Sequence, residues 1–342
     1  MLTSNADSTH LPIAHVSYVV DPEKLRTLAG YDWDFLFSPV RDPLYLTLIA
    51  VTLVVTVALF VTCELVPRLR TGCRRIHDRF LTYEPFVPLI LRTALGIALI
   101  VAGTKQAIYL PNVPGPQVST LQVVLGFCLL AGFSVRVCGL GALAIFCYGL
   151  TQSGYLLGTM ESAAAGLIVA AYGAAAPGTD DILQFDPLGK MLAQLWEWLQ
   201  KHTGLILRLA LGSTMIWLAI TEKAMNPRVC EAVVLDFNLQ DLIPVSPAMW
   251  VFTVGVIELA VGLVLVLGFF VRTWSIVAFL VLTLSFFYFK EEVAGHVTFF
   301  GALMVLMIKG AGDWSIDSVI ARRTRNVTGT QAPYLTASPE SA

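Results

Sequence analysis

Residues 250–273 read WVFTVGVIELAVGLVLVLGFFVRT. The run is longer than the roughly 20 apolar residues that cross a hydrocarbon layer. Its only charge before Arg272 is one carboxylate, Glu258, near the middle. An earlier stretch, residues 121–137, reads LQVVLGFCLLAGFSVRV and echoes it. Gly126 matches Gly262, and Leu129 matches Leu265; Gly132, Phe133, Val135 and Arg136 match Gly268, Phe269, Val271 and Arg272. Where the later copy has Glu258, the earlier has Gln122. The pattern predicts two related spanning helices, one charged at a point where the other is neutral.

Composition agrees. The chain is 56% hydrophobic and 13% charged, with a mean hydropathy of +0.73. Soluble domains are nearer half apolar and a quarter charged. The reading is an all-α polytopic membrane protein with the lipid bilayer as its first partner. A net charge of −2 without a basic, aromatic-interleaved patch gives no sign of nucleic-acid binding. Of six cysteines, Cys63, Cys128, Cys138 and Cys147 fall in apolar runs, Cys73 in a basic stretch and Cys230 in a polar one. None forms a CxxC pair, so neither a disulfide framework nor a redox couple is expected.

In chain order, residues 1–43 lack the basic start and short apolar core of a signal peptide and form an expected extracytoplasmic segment, with a short strand at Val16–Val20. Residues 44–85 hold a first span, Leu44–Val66, and the basic cluster Arg68, Arg70, Arg74, Arg75, His77 and Arg79. Short basic loops stay in the cytoplasm, which places the N-terminus outside and, after nine spans, the C-terminus inside the cell inner membrane. The second span begins LILRTALG and the sixth LILRLALG, alike at seven of eight positions. Two ordered matches predict tandem repeats over residues 86–186 and 204–322, each of four helices. An even number of spans per repeat makes the repeats parallel. The spacing between copies is 116 residues at Arg92/Arg208 and 136 at Arg136/Arg272, so the second copy carries an insertion of about twenty residues, in the loop 226–247. Residues 187–203 suit an interfacial amphipathic helix, with Leu188, Met191, Leu192, Leu195 and Leu199 on one face. Residues 323–342 read as a disordered cytoplasmic tail.

Glu258 is the foremost candidate for chemistry, because a charge at mid-bilayer costs about 3 kcal/mol or more and is a functional hypothesis by default. The alternative is a neutral carboxyl acting as interhelical glue. A second group gathers at the expected outer end: Lys105, Glu161, Glu222, Lys223, Lys290, Glu291, Glu292 and His296. Of these, Lys223 and His296 are taken with Glu258 as ligand or proton-relay residues; Glu161, Lys290, Glu291 and Glu292 read as interface charges with long stems. At the inner end, Arg92 with Asp180 or Asp181, and Arg208 with Asp313, are read as structural ion pairs. A membrane haem needs two facing histidines, and no Cys/His cluster has zinc spacing. No phosphate-binding or dinucleotide fingerprint occurs.

The motifs Arg208-Leu-Ala-Leu-Gly212, Lys223, Glu258 with Gly262, Leu267 to Arg272, and Gly310-Ala-Gly-Asp313-Trp-Ser-Ile-Asp317 resemble the DoxX-like family of four-helix membrane proteins. The first copy keeps Arg92, Gly96, Lys105 and the Gly132–Arg136 element, but has Gln122 and an Asp180-Asp181-Ile182 ending. That family is related to the subunits named for thiosulfate:quinone oxidoreductase. The resemblance implies a membrane subunit of a quinone-linked respiratory or sulfur/redox complex, with a protein partner, a quinone as candidate cofactor and the active pocket in the second copy. For other members it implies assembly or anchoring roles, and a small-molecule transporter is a third reading.

Overall fold

The structure, a computed structural model, describes residues 20, 22–47, 49–51 and 78–319 apart from 176, 187 and 290–292, with scattered positions between 52 and 77. Most of the first span and basic loop, most of the Val16–Val20 strand, Lys290, Glu291, Glu292 and the tail lie outside the described residues.

The described chain is a helical membrane bundle. Two short helices, α1 (Pro22–Leu28) and α2 (Trp33–Phe37), precede α3 (Val87–Thr104). A small antiparallel hairpin, β1 (Ala107–Ile108) and β2 (Leu110–Pro114), leads to α4 (Ser119–Ala131), α5 (Val135–Gln152), α6 (Met160–Tyr172) and the short α7 (Thr179–Leu183). After α8 (Ala193–Lys201) come α9 (Thr203–Leu218), α10 (Pro227–Asp236), α11 (Pro247–Leu267), α12 (Val271–Phe289) and α13 (Val297–Lys309). Among the described residues six helical stretches are long and apolar enough to cross a membrane: 84–104, 135–152, 154–172, 203–224, 247–267 and 271–289. The helices α4 and α13 are apolar but shorter.

Helices α3, α6, α9 and α13 touch in a ring at the centre. Around it α4 lies on α3, α5 on α6, α11 on α9 and α12 on α13. Leu91, Leu95 and Leu99 of α3, at helical spacing, and Leu207 and Leu211 of α9 are fully buried in this centre. Lipid tails are as apolar as leucine, so close packing rather than water exclusion holds such helices together. Glycine supplies it. A Cβ on Gly212 would stand 2.6 Å from the Gly262 carbonyl oxygen, and one on Gly126 would stand 2.6 Å from that of Gly96. Side chains there would hold α9 off α11 and α3 off α4.

The ends of the two helix sets are tied by matching contacts. Helix α4 stops at Gly132 (φ +69°) and α11 at Gly268 (φ +71°), a left-handed conformation that glycine adopts without strain. Beyond each stop the amides turn onto a carboxylate: Ser134 and Val135 donate to Asp180 at 2.7 and 2.8 Å, Phe270 and Val271 to Asp317 at 2.8 and 3.4 Å. Arg136 donates to the carbonyls of Ala170 and Ala171, and Arg272 to those of Met307 and Ile308. Asp180 and Asp317, Ala170 and Met307, and Ala171 and Ile308 are each 137 residues apart.

These contacts correct the expected ion pairs. Arg92 donates to the Pro177 carbonyl at 2.8 Å, not to Asp180 or Asp181. Arg208 donates to the carbonyls of Ala311, Leu265, Val266 and Trp314, not to Asp313. Carbonyl oxygens left over at helix ends already point at the guanidinium, so the aspartates are free to cap amides, and in the second set the capping residue is Asp317. The ion pair at this end of the first set is Arg136–Asp186, at 2.5 Å.

The linker helix is also shorter than expected. Trp196 and Leu199 point inward, with Trp196 5.1 Å beneath the Arg136 guanidinium, while Met191, Leu195 and Trp198 stay exposed. At the opposite end of the bundle, α1, α2 and α10 build a second apolar cluster: Leu25, Leu36, Val229, Cys230, Val234, Leu239 and Val251. The N-terminal segment and the loop insertion therefore pack on each other and on the start of α11.

Candidate functional site

Helix α9 does not end as a plain α-helix. Its last turn, Ala219–Ala224, is a π-helix, the wide form in which single turns recur at functional sites. The Met225 amide donates to the Ile220 carbonyl, five residues back, at 2.9 Å. Asn226, 2% exposed, holds the turn open by donating to the Thr221 carbonyl at 2.7 Å.

This turn presents Glu222 and Lys223 to α11. The Lys223 Nζ lies 2.9 Å from Glu222 Oε2 and 3.0 Å from Glu258 Oε1. The side chains of Glu222, Lys223 and Glu258 are 0%, 12% and 20% exposed. The lysine stem crosses α11 at Gly255, one turn before Glu258, where a Cβ would stand 3.0 Å from Lys223 Cβ. A larger residue at 255 would push the ammonium away from Glu258. At 1.5 Å per residue, Glu258 lies about 16 Å from the start of α11 and about 14 Å from its end. Glu258 is therefore near the middle of its span, while Glu222 and Lys223 reach it from the last turn of theirs.

Two carboxylates against one ammonium leave a formal charge of −1, which one proton neutralises. An ammonium has three donors, and two are taken by Glu222 and Glu258. The third remains for a carbonyl or hydroxyl oxygen. On the other side, Glu258 Oε2 is buried without a hydrogen-bond partner. The site thus offers one donor and one acceptor side by side.

His296 sits at the junction of α12 and α13. It caps the start of α13, 6% exposed, with its ring edge-on to Phe286 of α12 at 4.9 Å. The turn that carries it, Val293–His296, packs against α3. Lys105 ends α3 on the exposed surface. Glu161 is buried in the first turn of α6 and accepts from the Thr214 hydroxyl of α9 at 2.9 Å, at the seam between the two helix sets. It is a seam residue rather than the exposed interface charge expected. Sequence reasoning grouped Glu222 with the outer charges without a role. The adjacent Glu-Lys pair near a span end was the signal, but a regular α-helix would separate the two directions by about 100°. Among the described residues no group of three or more His, Cys, Asp or Glu side chains is placed to hold a metal.

In the first set the corresponding ground is neutral. Gln122 is fully buried and donates to the Ala107 carbonyl of β1 at 2.7 Å. The hairpin follows α3 in the chain, where the π-helical turn and α10 follow α9.

The DoxX family model matches residues 204–291. That span holds Arg208, Glu222, Lys223, Glu258 and Arg272, and leaves His296, Asp313 and Asp317 outside. No curated protein and no solved structure matches the chain. The chain is thus a multi-pass membrane protein that carries a DoxX domain at residues 204–291.

Proposed function

We propose that this protein is the membrane subunit of a quinone-linked redox complex in the cell inner membrane, and that the Glu222–Lys223–Glu258 cluster holds the quinone headgroup. The observation that carries the reading is a lysine at the end of one span bonded to two carboxylates, one of them, Glu258, near the middle of another. Ionisable groups in a bilayer are costly and mark ligand or proton pathways. The donor set suits a headgroup carrying two carbonyl oxygens: the third N–H of Lys223 would hold one oxygen, and Glu258 would face the hydroxyl formed on reduction. When bound, a quinone supplies transfer of two electrons with two protons. The chain's part is to fix Lys223 over Gly255, to keep bulk water off the cluster and to hold a proton at Glu258 Oε2. In this reading the two helix sets arose by tandem duplication and only the second kept the charge. The N-terminus lies outside and the C-terminus inside, with the cluster reached from the outer side.

Supporting the redox reading over an anchoring factor is the packing of the N-terminal segment onto the 226–247 loop. The two surfaces best suited to grip a partner are turned toward each other. The test is purification in mild detergent from native membranes, with mass spectrometry of bound lipids and proteins. About one quinone per chain, together with a co-purifying redox protein, is expected. A chain free of both quinone and partner, but competent for solute uptake in proteoliposomes, would replace this reading with transport.

A further inference from the structure

Directly over the cluster lies the cap made by α1, α2 and α10. Two surface ion pairs and one backbone bond fasten it: Lys24 to Asp236 at 2.7 Å, Arg228 to Asp32 at 2.7 Å, and the Gly30 amide to Asn226 Oδ1 at 3.0 Å. Arg228 also bonds Glu231 at 2.8 Å and lies 4.1 Å over the Phe35 ring. The Asn226 that receives Gly30 is the residue that holds the π-helical turn through Thr221. The Cys230 thiol, 7% exposed beneath α1 and α2, donates to the Glu222 carbonyl at 3.4 Å. Two hydrogen bonds through Asn226 thus link the N-terminal segment to Thr221, two residues before Lys223.

We propose that the N-terminal segment, residues 22–37, is a lid that opens and closes aqueous access to the Glu222–Lys223–Glu258 cluster, latched by Arg228 and sensed at the cluster through Asn226. The inference rests on that cluster being the functional site, but its test does not involve a quinone. The latch is suited to opening. Its ion pairs are solvent-exposed, with side chains 22–48% accessible, and exposed pairs are individually weak and screened by salt. What lies under them is mostly apolar, so the closed lid keeps water out. The charged groups facing the latch are Lys24, Asp32, Arg228, Glu231 and Asp236. Arg228 holds the Asp32 carboxyl below its usual range together with the Phe35 amide, which contributes most.

Cys230 reports on the lid without any added probe site. Burial pushes its thiol up to about 12, so alkylation of the closed state is slow. The experiment follows Cys230 modification by a membrane-impermeant maleimide in the full chain, resolved by peptide mass spectrometry. Arg228→Ala should speed the reaction about tenfold, and Arg228→Lys should restore most of the wild-type protection. For the unaltered protein, raising salt to about 1 M, where the screening length falls to about 3 Å, should speed it about threefold. Rates that stay within twofold in both arms would overturn the lid. Should Arg228→Ala misfold, the salt arm on wild type decides alone.

Discussion

Position 122 in the first helix set and position 258 in the second occupy like places on α4 and α11, yet hold opposite chemistry. Gln122 is neutral and fully buried: its amide donates to one backbone carbonyl, and its Oε1 has no hydrogen-bond partner. Glu258 differs in charge: a carboxylate on a lysine shared with a second carboxylate, with one oxygen likewise left over. The supports around both are alike, down to the arginine–carbonyl ties and the aspartates that cap Val135 and Val271. Stability therefore does not demand the charges, because the first set is built on the same frame without them. What the second set adds is the carboxylate–lysine–carboxylate cluster.

The comparison is broken most severely at Lys223. Lys223→Met removes the ammonium from between two carboxylates and should cost about 3–5 kcal/mol, the range for breaking a buried ion pair, read as thermal unfolding in detergent. Adding Glu222→Gln and Glu258→Gln to that variant should recover most of the loss. A single variant as stable as wild type would mean the cluster is not formed. Close packing comes next. Gly212→Val forces α9 off α11 and should cost about 2–3 kcal/mol by overpacking, with Gly96→Val acting likewise in the first set; equal tolerance of both would deny the tight helix approach. The shared frame is sharpened by Asp180→Ala and Asp317→Ala, each removing a cap over two amides for about 1–2 kcal/mol. Clearly unequal losses would count against a common frame. In the first set, Gln122→Leu leaves only the Ala107 carbonyl unpaired and should cost about 1 kcal/mol, well below the effect at Lys223.

The smallest expected effect is acid sensitivity of the lid. The folded Asp32 sits below its ordinary value of 3.8, so its contribution is fully present above that value and is lost as pH falls through the lower folded value. Cys230 alkylation, corrected for the intrinsic effect of pH on thiols, should stay flat from pH 7 down to about 5. Below about 4 it should rise, and Asp32→Asn should remove the rise.

Much of the frame was legible because it is local and periodic. The apolar runs and the Gly-Phe-x-Val-Arg stops predict helices and their ends, and Glu258 stood out as a charge within an apolar run. What was hidden depends on geometry that sequence spacing does not encode. Lys223 reaches Glu258 only because a π-helical turn rotates it there, and no residue pattern announced that turn. Asp313 and Asp317 are both acidic and both close to the end of α13; only the backbone decides that Asp317 caps Phe270 and Val271. The lid was invisible for a different reason. Lys24 and Asp236 stand 212 residues apart, in segments without apolar periodicity. The seating of His296 against Phe286 was hidden as well, since the two belong to different helices' ends.

The central claim is that the charge at position 258 makes the second set, and not the first, the ligand site. The most direct test extracts quinone from equal amounts of folded wild type, Glu258→Gln and Gln122→Glu purified from the same membranes. About one quinone per wild-type chain, a drop of tenfold or more in Glu258→Gln, and an unchanged content in Gln122→Glu are predicted. Equal quinone in wild type and Glu258→Gln, or none in either, would contradict it.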